Sequence, residues 1–343
     1  MNNLRLNIKS LITAMTMVFS VVAVAQDEPA FTVSGSIDTY FRTNLSGGTN
    51  DPTDGGTLAP TTSFANLPGF SLGMANVIMS YDGDKVGFVA DLVFGPRGAE
   101  AVFGSNPALN IVNQLNAYIN VTDNFKLTLG NFNTFLGYEV ISPTANFNYS
   151  TSYMFSYGPF SHTGIKADIG LSDDVSLMLG VLNTTDATEF MPPADDYMFG
   201  AQLGIFGQYI NFLTGGTANV SQIDFTGGID LGDSFFLGVN ATSYEDDSLK
   251  FSGFALYPQY TFSDSFALGA RFEAFTDDGL GAIGSIAEKG DNTSFTITGS
   301  FSSGNMIFKP EIRIDSASGK YYTDADGPTD SLSAFLVAAI YSF

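Results

Sequence analysis

Residues 110–129 read NIVNQLNAYINVTDNFKLTL, and the spacing within them decides the fold. Ile111, Leu115, Ala117, Ile119 and Val121 share one parity, while Asn110, Gln114, Asn116, Tyr118 and Asn120 take the other. Thr122-Asp123-Asn124 then reverses the chain, and Phe125, Leu127 and Leu129 resume the alternation. A period of two belongs to a strand with one apolar and one polar face. About ten such residues suffice for a tilted strand to cross the apolar layer of a bilayer.

Working outward, the same unit recurs. Thr163, Ile165, Ala167, Ile169 and Leu171 oppose His162, Gly164, Lys166, Asp168 and Gly170. Met306, Phe308, Ile312 and Ile314 oppose Lys309, Glu311, Arg313 and Asp315. The Asp-centred turn returns as LSDDV at 171–175, LGDSF at 231–235 and FSDSF at 262–266. Asp, Asn, Ser and Gly suit such turns because they bond local backbone or tolerate positive φ. Tight turns also fall at 82–84, 303–305 and, more weakly marked, Gly207.

Between the tight turns lie longer segments rich in Asp, Gly, Thr and Pro, at 44–68, 96–109, 135–158, 184–196, 245–248, 276–292 and 316–330. Short turns at one end and long loops at the other mark an outer-membrane barrel. The reading is all-β: an antiparallel up-and-down transmembrane barrel of about sixteen strands. The strands fall near 31–43, 69–81, 85–95, 110–121, 125–134, 160–170, 174–184, 197–206, 208–214, 219–231, 234–244, 249–262, 265–276, 292–302, 304–315 and 331–343. Two of these runs, 69–81 and 250–262, are apolar or small on both faces and leave the inward side open.

The chain ends support export. Arg5 and Lys9 precede an apolar stretch from Leu11 to Val22, and Ala23-Val24-Ala25 has the form of a cleavage site. Residues 1–25 therefore read as a secretory signal peptide and 26–343 as one barrel domain. Phe335, Val337, Ala339, Tyr341 and Phe343 alternate to the last residue, resembling the strand that outer-membrane proteins offer to their assembly machinery.

Composition closes off other classes. The formal charge is −22, from 13 Lys and Arg against 35 Asp and Glu, which excludes the basic surface nucleic acid requires. With no Cys, there are no disulfides, thiolate metal sites or Cys nucleophile. The single His, His162, cannot make a multi-His metal cluster. Its neighbours Ser161 and Asp168 could in principle complete a hydrolase triad, but residue types alone specify no geometry, and a wall imidazole is the simpler reading. Asp324-Ala-Asp-Gly327 resembles half a calcium loop and lacks the closing Glu. No catalytic residue, cofactor or metal is assigned.

A family resemblance enters at residues 129–166, LGNFNTFLGYEVISPTANFNYSTSYMFSYGPFSHTGIK, with FANLPGF at 64–70 and FVADLVFGPR at 88–97. These motifs are similar to the OmpL-like β-barrel porin family of Gram-negative bacteria. The resemblance implies an outer-membrane porin and supplies no substrate or catalytic residue.

A Lys or Arg facing lipid at mid-bilayer costs about 2–4 kcal/mol, so strand charges should face the lumen. Arg42, Asp91, Lys166, Asp168, Asp224, Arg271, Glu273, Lys309, Glu311 and Arg313 are the expected pore-lining residues. Segment 135–158 carries one charge, Glu139, amid Phe135, Tyr138, Phe147, Tyr149, Tyr153, Phe155 and Tyr157. So aromatic a loop is expected to fold against the wall or into the lumen rather than face water. Glu139, Phe147, Tyr149 and Tyr153 are its candidate constriction residues.

The function expected is passive diffusion of small hydrophilic solutes through a polar, water-filled lumen. A substrate-selective channel, for example for sugars, and a plugged barrel with a structural or adhesive role are the alternatives. Arg271, Lys309, Arg313 and Arg42 would form a basic wall facing a more acidic one with Asp91, Asp168, Asp224 and Asp230, unless local pairs, Arg271 with Glu273 or Arg313 with Glu311, cancel it. The outer loops are acidic, including Asp195, Asp196, Asp246, Asp247, Asp277, Asp278, Asp324 and Asp326. They should favour cations at low salt and bridge through divalent ions to lipopolysaccharide. The remaining expected partners are outer-membrane lipid, the assembly machinery and a second copy of the chain.

Overall fold

The computed structural model describes residues 30–46, 59–190, 196–283 and 289–343. The expected signal segment 1–25, residues 47–58 of the first outer loop and Asp195 lie outside them. β1 (Ala30–Asn44), β2 (Gly69–Asp82) and β3 (Val86–Phe94) are followed by a short helix, α1 (Pro96–Ala101). β4 (Val112–Thr122) and β5 (Phe125–Asn133) precede a second, α2 (Tyr153–Tyr157). β6 (Ser161–Gly170), β7 (Val175–Leu182), β8 (Met198–Ile205), β9 (Gln208–Gly215), β10 (Val220–Asp230) and β11 (Phe235–Glu245) continue the meander. β12 (Lys250–Ser263), β13 (Phe266–Asp278), β14 (Gly290–Ser303) and β15 (Met306–Ala317) lead to a small hairpin of β16 (Tyr322–Asp324) and β17 (Gly327–Thr329). β18 (Ser331–Ser342) ends the chain.

Each strand pairs antiparallel with its neighbours, and β18 pairs with both β15 and β1 to close a sixteen-strand barrel that leaves β16–β17 outside it. Closure removes every open sheet edge, which a bilayer requires because lipid cannot satisfy free backbone groups. At the seam, Gly35 and Phe343 exchange two backbone hydrogen bonds of 3.0 Å. All sixteen strands expected from the alternation are present. The weakly marked turn at Gly207 is real. Phe206 and Gly207 have φ of 50° and 76°, so both take the left-handed conformation that a two-residue hairpin turn requires.

Alternation sets the faces. Val33, Ile37, Leu115, Ile119, Phe272 and Ile312 are exposed on the outside, while Ser36, Asp38, Arg42, Arg271, Glu273, Glu311 and Arg313 are buried inside. In β4 the register shifts by one residue opposite Asp91 and Leu92, so Asn113 turns inward beside Gln114. The two runs apolar on both faces have a specific cause. Their inward residues, among them Met74, Phe251, Ala255 and Tyr257, pack against loops rather than water.

Candidate functional site: a loop seated inside the barrel

The connection between β5 and β6, residues 134–160, enters the barrel and is held by the inward-facing charges of β13 and β15. Glu273 accepts the backbone N–H groups of Tyr153 (3.0 Å) and Met154 (2.9 Å). Glu311 accepts those of Tyr149 (2.8 Å) and Ser150 (3.2 Å). Arg271 donates to Ser150 O (2.6 Å) and Thr151 O (3.2 Å), and pairs with Glu139 at 2.6 Å. Arg313 donates to Thr151 O (2.8 Å), and Lys309 to Pro143 O (2.9 Å) and Asn146 O. Asp224, on β10, accepts Gly137 N–H (3.0 Å). Each anchor meets an irregular backbone group that has no partner within the loop, which is how a non-helical segment stays buried at membrane depth.

Shape complements charge. Built with a Cβ, Gly269 would meet Phe147 Cε1 at 2.5 Å, Gly253 would meet Met154 Sδ at 2.6 Å, and Gly200 would meet Phe135 Cζ at 2.6 Å. Gly238 would meet Tyr138 Cζ at 2.6 Å. Four wall glycines thus leave sockets for four side chains of the loop. Tyr138 also stacks on Tyr257, with ring centroids 4.1 Å apart.

Other outer segments cap the loop. Ser63 N–H donates to Ser156 Oγ (2.8 Å), and Thr151 Oγ1 to Ser63 O (2.5 Å). Phe64 and Ala65, at φ 68° and 56°, turn the first outer loop so that Phe64 packs on Phe155 and Phe160. Arg97, in α1, lies over the Phe64 ring at 4.3 Å and donates to Ile141 O at 2.9 Å. In the outer loop between β7 and β8, Asp186 accepts the N–H groups of Phe160 (2.7 Å) and Ser161 (2.8 Å). Burial pushes its carboxyl up to about 6, against the lowering effect of those two donors.

Every expected pore-lining residue is on an inward face. Eight of them, however, are buried beneath protein rather than facing an open lumen: Arg42, Asp91, Asp224, Arg271, Glu273, Lys309, Glu311 and Arg313. Lys166 and Asp168 pair at 2.9 Å and remain partly exposed. The expected local pairs are not the ones formed. Arg271 pairs with Glu139 of the loop, not Glu273, and Arg313 pairs with Asp315 (2.8 Å), not Glu311. Arg271, Lys309 and Arg313 of the basic wall are therefore engaged by the inner loop, which corrects the picture of bare opposed walls. Phe147 sits in its glycine socket, Tyr149 donates its hydroxyl to Asp38, and the hydroxyls of Tyr153 and Tyr322 lie 3.0 Å apart.

Sequence reading missed a polar belt in the wall. Asp91 accepts from Asn76 (3.2 Å) and Asn113 (2.7 Å), and Asp224 from Asn211 (2.8 Å) and Asn240 (2.7 Å). The signal available was Asn on the strands flanking each Asp: Asn211 lies directly opposite Asp224, Asn240 and Asn76 are displaced by two residues, and Asn113 is brought in by a register shift. His162 shares a hydrogen bond with Thr134 Oγ1 at 3.0 Å, and no hydrogen bond joins it to Ser161 or Asp168 among the described residues. Asp324 accepts Asp326 N–H at 2.9 Å as part of the β16–β17 turn.

A match of nearly full length decides the family of this closed sixteen-strand barrel. The family model described as "Putative beta-barrel porin-2, OmpL-like" covers residues 30–343. The chain belongs to this porin family. Membership makes it a channel-type barrel of the Gram-negative outer membrane.

Solved structures share the fold. The DcaP outer-membrane channel of Acinetobacter baumannii superposes with TM-score 0.57 at 11% identity, covering 93% of this chain and 99% of that one. OmpT of Vibrio cholerae gives 0.54 at 14%, covering 94% and 100%. An anion-selective porin from Comamonas acidovorans gives 0.52 at 11%, covering 92% and 100%. No curated protein matches the OmpL-like chain.

Proposed function

We propose that this OmpL-like porin passes small hydrophilic solutes passively, by the route left beside its inner loop. The seating of residues 134–160 on Arg271, Glu273, Lys309 and Glu311 carries this reading. A sixteen-strand barrel would enclose a wide aqueous lumen, and the loop narrows it to a size that excludes large solutes. Glu139, Phe147, Tyr149 and Tyr153 belong to this constriction. Lys166 and Asp168, partly exposed on the opposite wall, are the charges a permeating solute would meet.

Single-channel recording of the purified protein in a planar bilayer tests the proposal. Small ohmic steps, unaffected by sugars, support passive diffusion. Block by one class of sugar would replace it with a selective channel. A silent bilayer would favour the plugged barrel, a second reading that the burial of eight inward charges keeps specific.

For partners, we propose outer-membrane lipid and lipopolysaccharide around the barrel and recognition of β18 by the assembly machinery. An OmpT structure described as a trimer form supports a homo-oligomer here too.

A further inference from the structure

Arg42 lies near the outer end of β1 on the inward face and is only 4% exposed. Its guanidinium makes one hydrogen bond, from Nη2 to Asn44 Oδ1 at 2.9 Å, and no ion pair with any described residue. The other cations in this part of the lumen are far better engaged. Arg271 has Glu139 and two carbonyls, Arg313 has Asp315 and a carbonyl, and Lys309 has two carbonyls. Asp315 acts on the Arg42 guanidinium through space but is bonded to Arg313, so the described residues under-compensate a buried charge that calls for a further partner.

A cavity adjoins it, lined by Arg42, Pro60, Ala65 and Leu336 together with Glu311, Arg313 and Asp315 of β15, the strand next to β18. It has room for about one or two water-sized guests. Arg42 lines this space, and its Nε and Nη1 make no hydrogen bond to a described residue. The acids in the lining are already engaged. Asp315 accepts from Arg313 (2.8 and 2.9 Å) and Ser294 (2.6 Å). Glu311 accepts from Tyr149 N–H, Ser150 N–H and Thr298 Oγ1 (2.8 Å).

We propose that this cavity binds one small monovalent anion on the free edge of the Arg42 guanidinium. The guanidinium fork suits a halide or a small carboxylate through charge-assisted hydrogen bonds. The nearby Glu311 and Asp315 carboxylates repel a second negative charge, so singly charged anions bind in preference to sulfate. The bound anion holds the Pro60–Ala65 edge of the first outer loop against the β1–β18 seam, above the inner loop. This site does not depend on whether the barrel conducts.

Bromide is the probe. Crystals of the mature protein grown in sodium bromide should show an anomalous peak within hydrogen-bond distance of the Arg42 guanidinium, and Arg42→Gln crystals should lack it. In solution, replacing sodium sulfate by sodium bromide at equal ionic strength should lower the unfolding midpoint of Arg42→Gln, through the general stabilising effect of sulfate, by more than it lowers that of the wild type. Sodium formate as a third salt separates the sources, since a shift with bromide alone assigns a halide and a shift with both admits small carboxylates. If Arg42→Gln does not assemble, Arg42→Lys keeps the charge without the fork and should show reduced bromide occupancy. A wild-type map with no bromide at Arg42, or a peak that survives in Arg42→Gln, overturns the proposal.

Discussion

Replacing Arg271 with Met should loosen the inner loop from the wall. The change removes the 2.6 Å ion pair to Glu139, the donations to Ser150 O and Thr151 O, and the bond to Thr296 Oγ1 (3.2 Å). Glu139 stays buried with one remaining donor, Ser152 N–H at 2.7 Å. Breaking one side of a buried pair costs about 3–5 kcal/mol, because the other charge is left uncompensated. At about 1.4 kcal/mol per decade, that multiplies the lifted population of the loop by a hundredfold to a few thousandfold. Glu273, Lys309 and Glu311 still hold it, so lifting should be transient. Single-channel records should show brief openings above the wild-type level, and amide exchange across 139–152 should accelerate. Adding Glu139→Gln removes the orphaned charge and should recover at least about 1 kcal/mol of the loss. Unchanged exchange and conductance in Arg271→Met, or a double variant no better than the single, would refute this account of the anchor.

Three further outcomes follow from the geometry. Asp186 has its carboxyl raised to about 6 against an unfolded value of 3.8, so the folded chain binds the extra proton between those values and stability falls as pH rises through that window. The difference of about two units is worth on the order of 3 kcal/mol, so rate-corrected exchange at Phe160 and Ser161 should be faster at pH 7 than at pH 4, and Asp186→Asn should remove the dependence. Gly238→Ala or Gly269→Ala should each disfavour the seated loop by about 1–3 kcal/mol through overpacking, read as more frequent large openings with an unaltered circular dichroism spectrum. Deleting Phe343 removes both backbone bonds to Gly35 and should reduce the heat-modifiable, folded fraction in membranes; an undiminished fraction would show that the seam closes without it.

The barrel was legible because lipid imposes its rule on every strand, and alternation such as that of residues 110–121 repeats it locally. The same local logic failed for the ion pairs. Arg271 and Glu273 are two apart on one face, a spacing that invites pairing, yet each is turned to a different backbone group of a loop more than a hundred residues earlier. Arg313 and Asp315 share that spacing and do pair, because no loop amide competes for Asp315. The aromatic crowding of 135–158 around a single acid told of burial, but not where Phe147 or Met154 would sit. Their sockets are glycines on β12 and β13, residues without a side-chain pattern to read. Asn113 shares the lipid-facing parity of Ile111 and Leu115, and only the register shift opposite Asp91 and Leu92 turns it inward, a bulge that alternation alone does not announce.

The most direct test of the central claim, a loop seated inside the barrel, uses the absence of cysteine from the chain. A Cβ on Gly253 would overlap the Met154 side chain, placing a Met154→Cys, Gly253→Cys pair within disulfide reach. In outer-membrane fractions this pair should cross-link nearly completely, and the locked protein should conduct like the wild type without large openings. Thiols that stay free and react with a membrane-impermeant reagent would place the loop outside the barrel and contradict the account.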